Sequence, residues 1–240
     1  MIEVVLHGAG RMSSAVAQAA AQDPDVAIIA VVSPQAPGWG EGLACHASLD
    51  RLQSRPDVLI DFSLPDGTAA AASWCAEAGV ALLSGVTGLP AETHTLLENA
   101  ASRVPVLWSP NLSLGVNLLA RLCGAAAAAL GPETLVRIED LHHQWKKDAP
   151  SGTALMLGSA VESGFKKYAG KIQFSSRREG EAVGRHEVTF SWPGETVTLS
   201  HEAHDRDIFA RGALQAAHWL AAQPSGLYTA ADWLANPGPG

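Results

Sequence analysis

The stretch Glu139-Asp140-Leu141-His142-His143-Gln144-Trp145-Lys146-Lys147-Asp148-Ala149-Pro150-Ser151-Gly152-Thr153-Ala154 gathers two imidazoles, two ammonium groups and three carboxylates. Imidazole titrates close to neutrality and can give or take a proton there. His142 and Lys146 are near enough in sequence to reach one ligand, and a lysine beside a second cation, Lys147, gives up its proton more readily. Ser151-Gly152-Thr153 precedes the apolar run Leu155–Val161, which reads as a helix. A helix start offers backbone N–H groups and positive potential, a cradle for a carboxylate or phosphate. Residue by residue, a solvated charged loop ending in an ordinary N-cap explains the same letters equally well.

The elements around this stretch suggest where it sits. Ile2–His7 is a short, β-branched run and reads as a buried strand. Gly8-Ala9-Gly10-Arg11-Met12, an alanine-rich helix over Ser13–Asp23 and a second strand Val26–Val32 complete a βαβ unit. Further strands are expected at Asp57–Phe62, Val80–Ser84 and Val104–Trp108, with helices beginning at Pro65 and Pro90. This alternation predicts a doubly wound parallel sheet. The turns 8–12, 33–35, 85–88 and 109–113 then all fall at carboxyl ends of strands, where such sheets bind ligands. The glycine turn is a partial dinucleotide fingerprint, with Ser13 where the last glycine belongs and Ser33-Pro34-Gln35 where an acid is usual.

From Leu114 the pattern changes to a long apolar helix (Gly115–Leu130), a strand (Thr134–Leu141) and a helix from about Thr153. A hairpin of Arg185–Ser191 and Glu195–Glu202 follows, closed by Trp192-Pro193-Gly194. Helices at Asp207–Leu220 and Gly226–Leu234 end the ordered chain, with Pro237–Gly240 as a frayed tail. The segment Ser163–Ser176 carries no pattern that places it. We therefore expect an α/β protein, a Rossmann-like doubly wound parallel sheet (1–113 plus 207–240, dinucleotide-binding) with a second α+β domain (114–206) for substrate binding and oligomerisation.

The net charge of −8 argues against non-specific nucleic-acid or anionic-membrane binding. Three scattered cysteines suit free thiols in a reducing compartment, and no secretory leader is recognisable after Met1, so a cytoplasmic protein is expected. No apolar run approaches the roughly 20 residues of a membrane span. His201-Glu202-Ala203-His204 falls one residue short of a zincin motif and is expected on a strand, where positions three apart face opposite sides; no metal is expected. Arg177-Arg178, Lys166-Lys167 and Arg206 read as a solvated basic face able to draw in a dianion.

Taken together, His142-His143-x-x-Lys146-x-Asp148-Ala149-Pro150-Ser151-Gly152-Thr153-Ala154 resembles the signature of the 4-hydroxy-tetrahydrodipicolinate (dihydrodipicolinate) reductase family. Asp61-Phe62-Ser63-x-Pro65-x-Gly67-Thr68, Gly85-Val86-Thr87-Gly88, Asn111-Leu112-Ser113-x-Gly115-Val116-Asn117 and Arg178-x-Gly180-x-x-x-Gly184-x-His186 extend the resemblance over nearly the whole chain. It implies reduction of a cyclic dicarboxylate by NADPH or NADH, giving tetrahydrodipicolinate and water in lysine and diaminopimelate synthesis. His142 would give or accept a proton and Lys146 would donate one, while His143, Gly152 and Thr153 would hold a substrate carboxylate. The implied cofactor contacts are Gly8, Ala9, Gly10, Arg11, Met12, Ser33, Gly85, Val86, Thr87, Ser109, Pro110, Asn111 and Leu112. A homotetramer built through the second domain's sheet is implied as well.

Three departures stand out. The cofactor turn is one residue shorter than the usual form and ends on Ser13. Ser33-Pro34 replaces an acidic-basic pair, which leaves nucleotide preference open. Val86 and Leu112 replace a hydroxyl and a ring near the nicotinamide. The other readings are a related Rossmann reductase of another imine or dicarboxylate, and a non-catalytic dinucleotide sensor.

Overall fold

The computed structural model describes residues 1–131, 133–165 and 170–235. Lys166-Lys167 and the Pro237–Gly240 tail lie outside the described residues. Two compact units emerge, Met1–Ser113 with Asp207–Gly240, and Leu114–Arg206.

In the first unit the chain runs β1 (Ile2–His7), α1 (Arg11–Ala20), β2 (Val26–Val32), β3 (Ala44–His46), β4 (Val58–Asp61), α2 (Pro65–Ala78), β5 (Ala81–Ser84), α3 (Ala91–Ala101) and β6 (Pro105–Trp108). The second unit holds α4 (Leu114–Ala129), β7 (Leu135–His142), α5 (Gly152–Gly164), β8 (Gln173–Arg178), β9 (Gly184–Trp192) and β10 (Glu195–Ala203). The chain then returns to the first unit through α6 (Asp207–Ala221), β11 (Gly226–Tyr228) and α7 (Ala230–Ala235).

The first sheet has the order β11-β6-β5-β4-β1-β2-β3, with every neighbouring pair parallel. Strand alternation distributes its side chains to two cores. Val4, Leu6, Val58, Ile60 and Leu83 pack with α1 and α6 on one face. Val5, Leu59 and Leu82 pack with α2 and α3 on the other. Both faces being covered explains why these strands read as unbroken apolar runs. Between β1 and β4 the winding reverses, and there the backbones crowd: Gly8 N–H donates to Val32 and Phe62 N–H to His7. Gly8 has φ +100°, and a Cβ on it would lie 2.7 Å from the Phe62 carbonyl oxygen.

The second sheet, β10-β9-β7-β8, pairs β7 antiparallel to β9 and parallel to β8. Val136 and Ile138 of β7, with Val188 and Phe190 of β9, form its inner face against α4 and α5. No described helix is long and apolar enough to cross a membrane.

Several expectations need correction. The first helix begins at Arg11 rather than Ser13, because Gly10 already serves as its N-cap. Residues 226–228 form an edge strand beside β6, so the helix expected over Gly226–Leu234 is confined to Ala230–Ala235. β3 at one edge of the first sheet, and β8, which begins inside the segment without a pattern, are additional strands.

The Gly8 geometry yields a test. Gly8→Ala forces a side chain into a conformation that costs about 1–2 kcal/mol even without a clash. We expect the unfolding free energy from denaturant titration to fall by at least that much, and an unchanged value would show that the turn can relax.

Candidate active site

The row Val136, Ile138, Asp140, His142 lies on one face of β7, because alternate residues share a face. It begins apolar and ends polar, so a carboxylate and an imidazole are carried to the rim of the core. Asp140 is 2 % exposed, and its carboxylate is surrounded by donors. Oδ2 accepts from Ser176 Oγ (2.6 Å) and from the backbone N–H of Ser151 (3.4 Å); Oδ1 accepts from Arg178 Nη1 (2.8 Å) and lies 3.0 Å from His142 Nδ1. Burial would raise its pKa, but the hydrogen bonds from Ser176 and Arg178 outweigh it and hold Asp140 ionised below the ordinary carboxylate range.

An ionised carboxylate only accepts, so His142 donates from Nδ1 and its Nε2 carries the lone pair when neutral. Burial lowers the His142 pKa; the Asp140 bond opposes this, and the nearby Lys146 charge adds to it. His142 is therefore neutral at pH 7. Its ring meets His186 edge to face at 5.0 Å between centroids. His186 Nε2 lies 3.3 Å from Ser151 Oγ, the hydroxyl that caps α5 by accepting from Ala154 N–H. Burial, reinforced by the His142 charge, pushes His186 down to about 4.

Lys146 Nζ sits 2.8 Å from Asp148 Oδ1, so its nearest charged partner is a carboxylate rather than Lys147. His143 Nδ1 is buried without a hydrogen-bond partner among the described residues, and its ring lies 5.8 Å from Trp145. Gly152 opens α5, with nothing within 4 Å of where a Cβ would stand. His142 thus ends β7, His143 and Lys146 lie in the β7–α5 connection, and Gly152 and Thr153 open α5. Asp140, Ser176 and His186 join this cluster although the sequence assigned them no role, and Arg178, expected on a solvated basic face, lies largely buried against Asp140 instead. The spacing of Asp140 to His142 was the available signal, since residues two apart on a strand share a face.

In the first unit, Gly10, Arg11, Met12, Gly85, Val86 and Thr87 line one cavity of ≈ 340 Å³ with Phe62, Ser63, Leu64 and Pro65. Ala9 lines a neighbouring cavity of ≈ 540 Å³ with Trp39, whose indole N–H donates to the Ala9 carbonyl (3.1 Å). Gly8 lines neither cavity and packs against the Phe62 backbone. Ser33, Ser109, Pro110, Asn111 and Leu112 line neither cavity: Ser33 N–H is taken by His46 of β3, Ser109 Oγ donates to the Asn111 carbonyl, and Leu112 is buried. The α1 N-terminus has no side-chain cap and no acid in its first turn, and a Cβ on Gly10 would meet nothing. That leaves open space at a positive helix end, which suits a pyrophosphate. Among the described residues, no group of His, Cys, Asp and Glu is arranged to hold a metal.

Two family models match the chain: dihydrodipicolinate reductase, N-terminus, over residues 2–112, and dihydrodipicolinate reductase, C-terminus, over residues 115–234. A 4-hydroxy-tetrahydrodipicolinate reductase of Stenotrophomonas maltophilia is 42% identical over 97% of this chain and 98% of its own. The enzyme of that name from Zymomonas mobilis is 40% identical over 96% and 95%. Among solved structures, a dipicolinate-bound dihydrodipicolinate reductase from Paenisporosarcina sp. TG-14 superposes with a TM-score of 0.83 at 22% identity, covering 95% of this chain and 97% of that one. A myo-inositol dehydrogenase from Corynebacterium glutamicum shares the fold more distantly, with a TM-score of 0.60 at 14% identity over 94% and 90%.

Two outcomes are expected from this geometry. A Cβ on Gly184 would stand 3.1 Å from His142 Nε2, so Gly184→Ala displaces the imidazole. Turnover should fall more than thermal stability, and equal turnover would show the ring has room. His186 takes up a proton near pH 6.5 when unfolded but only near pH 4 when folded. The unfolded chain binds more protons between those values, so stability is lost as pH falls from 6.5 to 4. The melting temperature of His186→Gln should decline less over that interval than that of the wild type; parallel curves would remove His186 as the cause.

Proposed function

Because the chain belongs to the dihydrodipicolinate reductase family, we propose that its β7–α5 connection carries out the proton transfers of that family's reduction. The protein is an NAD(P)H-dependent oxidoreductase, a 4-hydroxy-tetrahydrodipicolinate reductase of lysine and diaminopimelate biosynthesis. Its substrate is a small cyclic dicarboxylate. The supporting observation is the convergence, around one connection, of an oriented neutral imidazole, an ammonium group and a helix N-terminus with open space at Gly152.

The net reaction replaces a ring hydroxyl by hydrogen: one hydride and one proton enter, and water and oxidised nucleotide leave. When bound, the nicotinamide supplies the hydride. Lys146 Nζ supplies the proton, and Asp148 holds it in place. His142 Nε2, left with its lone pair by the Asp140 bond, accepts and returns a proton on the substrate side. His143, Gly152 and Thr153 hold a carboxylate, which the positive end of α5 attracts. Dipicolinate, the compound bound to the Paenisporosarcina relative, is a planar dicarboxylate of this kind.

The first unit is assigned to the nucleotide. The α1 N-terminus, with Gly8 to Met12, would receive the pyrophosphate, and Gly85, Val86 and Thr87 the nicotinamide side. Ser33 and Ser109 to Leu112 would form the outer contacts. Lacking an acid at the end of β2, the site neither selects a 2′-hydroxyl nor repels a 2′-phosphate. The second sheet, with Leu135 exposed on its outer face, is assigned to assembly of a homotetramer.

With freshly generated substrate, the wild-type protein should oxidise NADPH or NADH. Lys146→Ala should lose at least about 100-fold in kcat, the lower end for removal of a general acid, while nucleotide titration stays near wild type. Full turnover of that variant would remove Lys146 from the proton path. A wild-type protein inert with both nucleotides would overturn the activity.

A further inference from the structure

We propose that Arg178 is a positioning residue for the reduction, its forked guanidinium holding together the carboxylate that orients His142 and the loop that carries Lys146. The inference rests on the reading above, in which His142 and Lys146 handle the protons.

β8 lies parallel to β7 with Arg178 opposite His142 and Ser176 opposite Asp140. That register puts the guanidinium beside the Asp140 carboxylate. Nη1 donates to Asp140 Oδ1 at 2.8 Å, and Nη2 donates to the backbone carbonyl of Asp148. Asp140 in turn faces His142 Nδ1, and the Asp148 carboxylate holds Lys146 Nζ at 2.8 Å. Two short chains of contacts therefore leave one rigid plane, one ending on each proton-handling group. Both outer nitrogens are committed to protein acceptors, Nη1 also donating to the Arg177 carbonyl. Arg178 acts through other residues rather than as a clamp on substrate.

A lysine cannot replace this. Its ammonium is a single nitrogen and keeps the charge, but not the two-pronged, planar hold. With the fork lost, Asp140 and the Asp148 loop become independent, and a displacement of the order of 1 Å in a reacting group costs about 100-fold in rate. The charged and titratable groups facing His142 are Asp140 on β7, Lys146 in the loop, Arg178 on β8 and His186 on β9. Of these, Asp140 alone draws the imidazole toward its protonated form, which makes its effect separable by pH.

The test uses full-length Arg178→Lys, Asp140→Asn and Asp140→Glu, with kcat, both KM values and pH profiles beside Lys146→Ala and His142→Gln. Arg178→Lys is expected to lose about 10- to 100-fold in kcat with both KM values within a few fold of wild type. In Asp140→Asn the limb of the profile belonging to His142 moves to lower pH, and in Asp140→Glu it returns toward the wild-type position. Wild-type kcat in folded Arg178→Lys overturns the proposal, as does an unshifted limb in Asp140→Asn. If Arg178→Lys does not fold, the limb decides, together with imidazole nitrogen NMR of the wild type. There His142 is expected as the Nδ1–H tautomer, and an Nε2–H tautomer overturns the proposal. Full turnover in both Lys146→Ala and His142→Gln would instead remove the proton-handling reading on which it stands.

Discussion

The second unit is arranged around one buried charge, the carboxylate of Asp140. Removing an ion from water costs several kcal/mol even after the protein relaxes, and the cost is met only if the lone pairs find well-placed donors. Asp140 finds them on three separate elements: Ser176 and Arg178 on β8, the Ser151 backbone at the start of α5, and His142 on its own strand. Each donor fixes something else. The serine and arginine pin the edge strand, Ser151 pins the helix whose N-terminus faces the connection, and His142 is left in one tautomer. Loss of any one leaves part of a buried charge uncompensated, so these features stand or fall together.

The first unit uses the same device for a different end. Asp61, fully buried at the end of β4, accepts from Ser63 Oγ (2.5 Å), Thr68 Oγ1 (2.6 Å) and Ser84 Oγ (3.0 Å). His7 Nδ1 stands 3.1 Å away, close enough for attraction although poorly aligned for a hydrogen bond. Burial raises the Asp61 pKa, but His7 and the hydroxyls outweigh it and hold the carboxyl below its ordinary value. The carboxylate ties β1, β4, α2 and β5 where the winding reverses. Its charge is consumed internally, so the cavity above the glycine turn is not made hostile to a pyrophosphate by a free acid.

Much of this was legible in the letters, and the omissions share a cause. Strands buried on both faces and the β9–β10 hairpin carry strong apolar runs or alternation. The strands not anticipated, β3, β8 and β11, all lie at sheet edges. An edge strand needs one partner and buries few side chains, so its residues carry little periodic signal; β8 is Gln-Phe-Ser-Ser-Arg-Arg, with no fully buried position. The same gap hid part of the site. His142, His143 and Lys146 are neighbours in sequence and visible as a cluster. Ser176 and Arg178 reach Asp140 only through the β7–β8 register, a pairing that no local pattern encodes.

The departures at the glycine turn take on a physical meaning in the same terms. The missing residue is absorbed because α1 starts directly after Gly10. Ser13 is fully buried on the inner face of that helix with Val16 and Ala20, where only a small residue fits, and its hydroxyl finds no partner among the described residues. Val86 is held through its carbonyl by the Trp108 indole (2.9 Å), and Leu112 joins the core. Each substitution is accommodated by packing, so the framework that presents the turn survives. The Asp140 network, by contrast, is assembled wholly from residues between 140 and 186. Under the proposed assignment, changes in the turn would bear on nucleotide binding, whereas the surroundings of His142 and Lys146 are set by β7, β8, β9 and the start of α5.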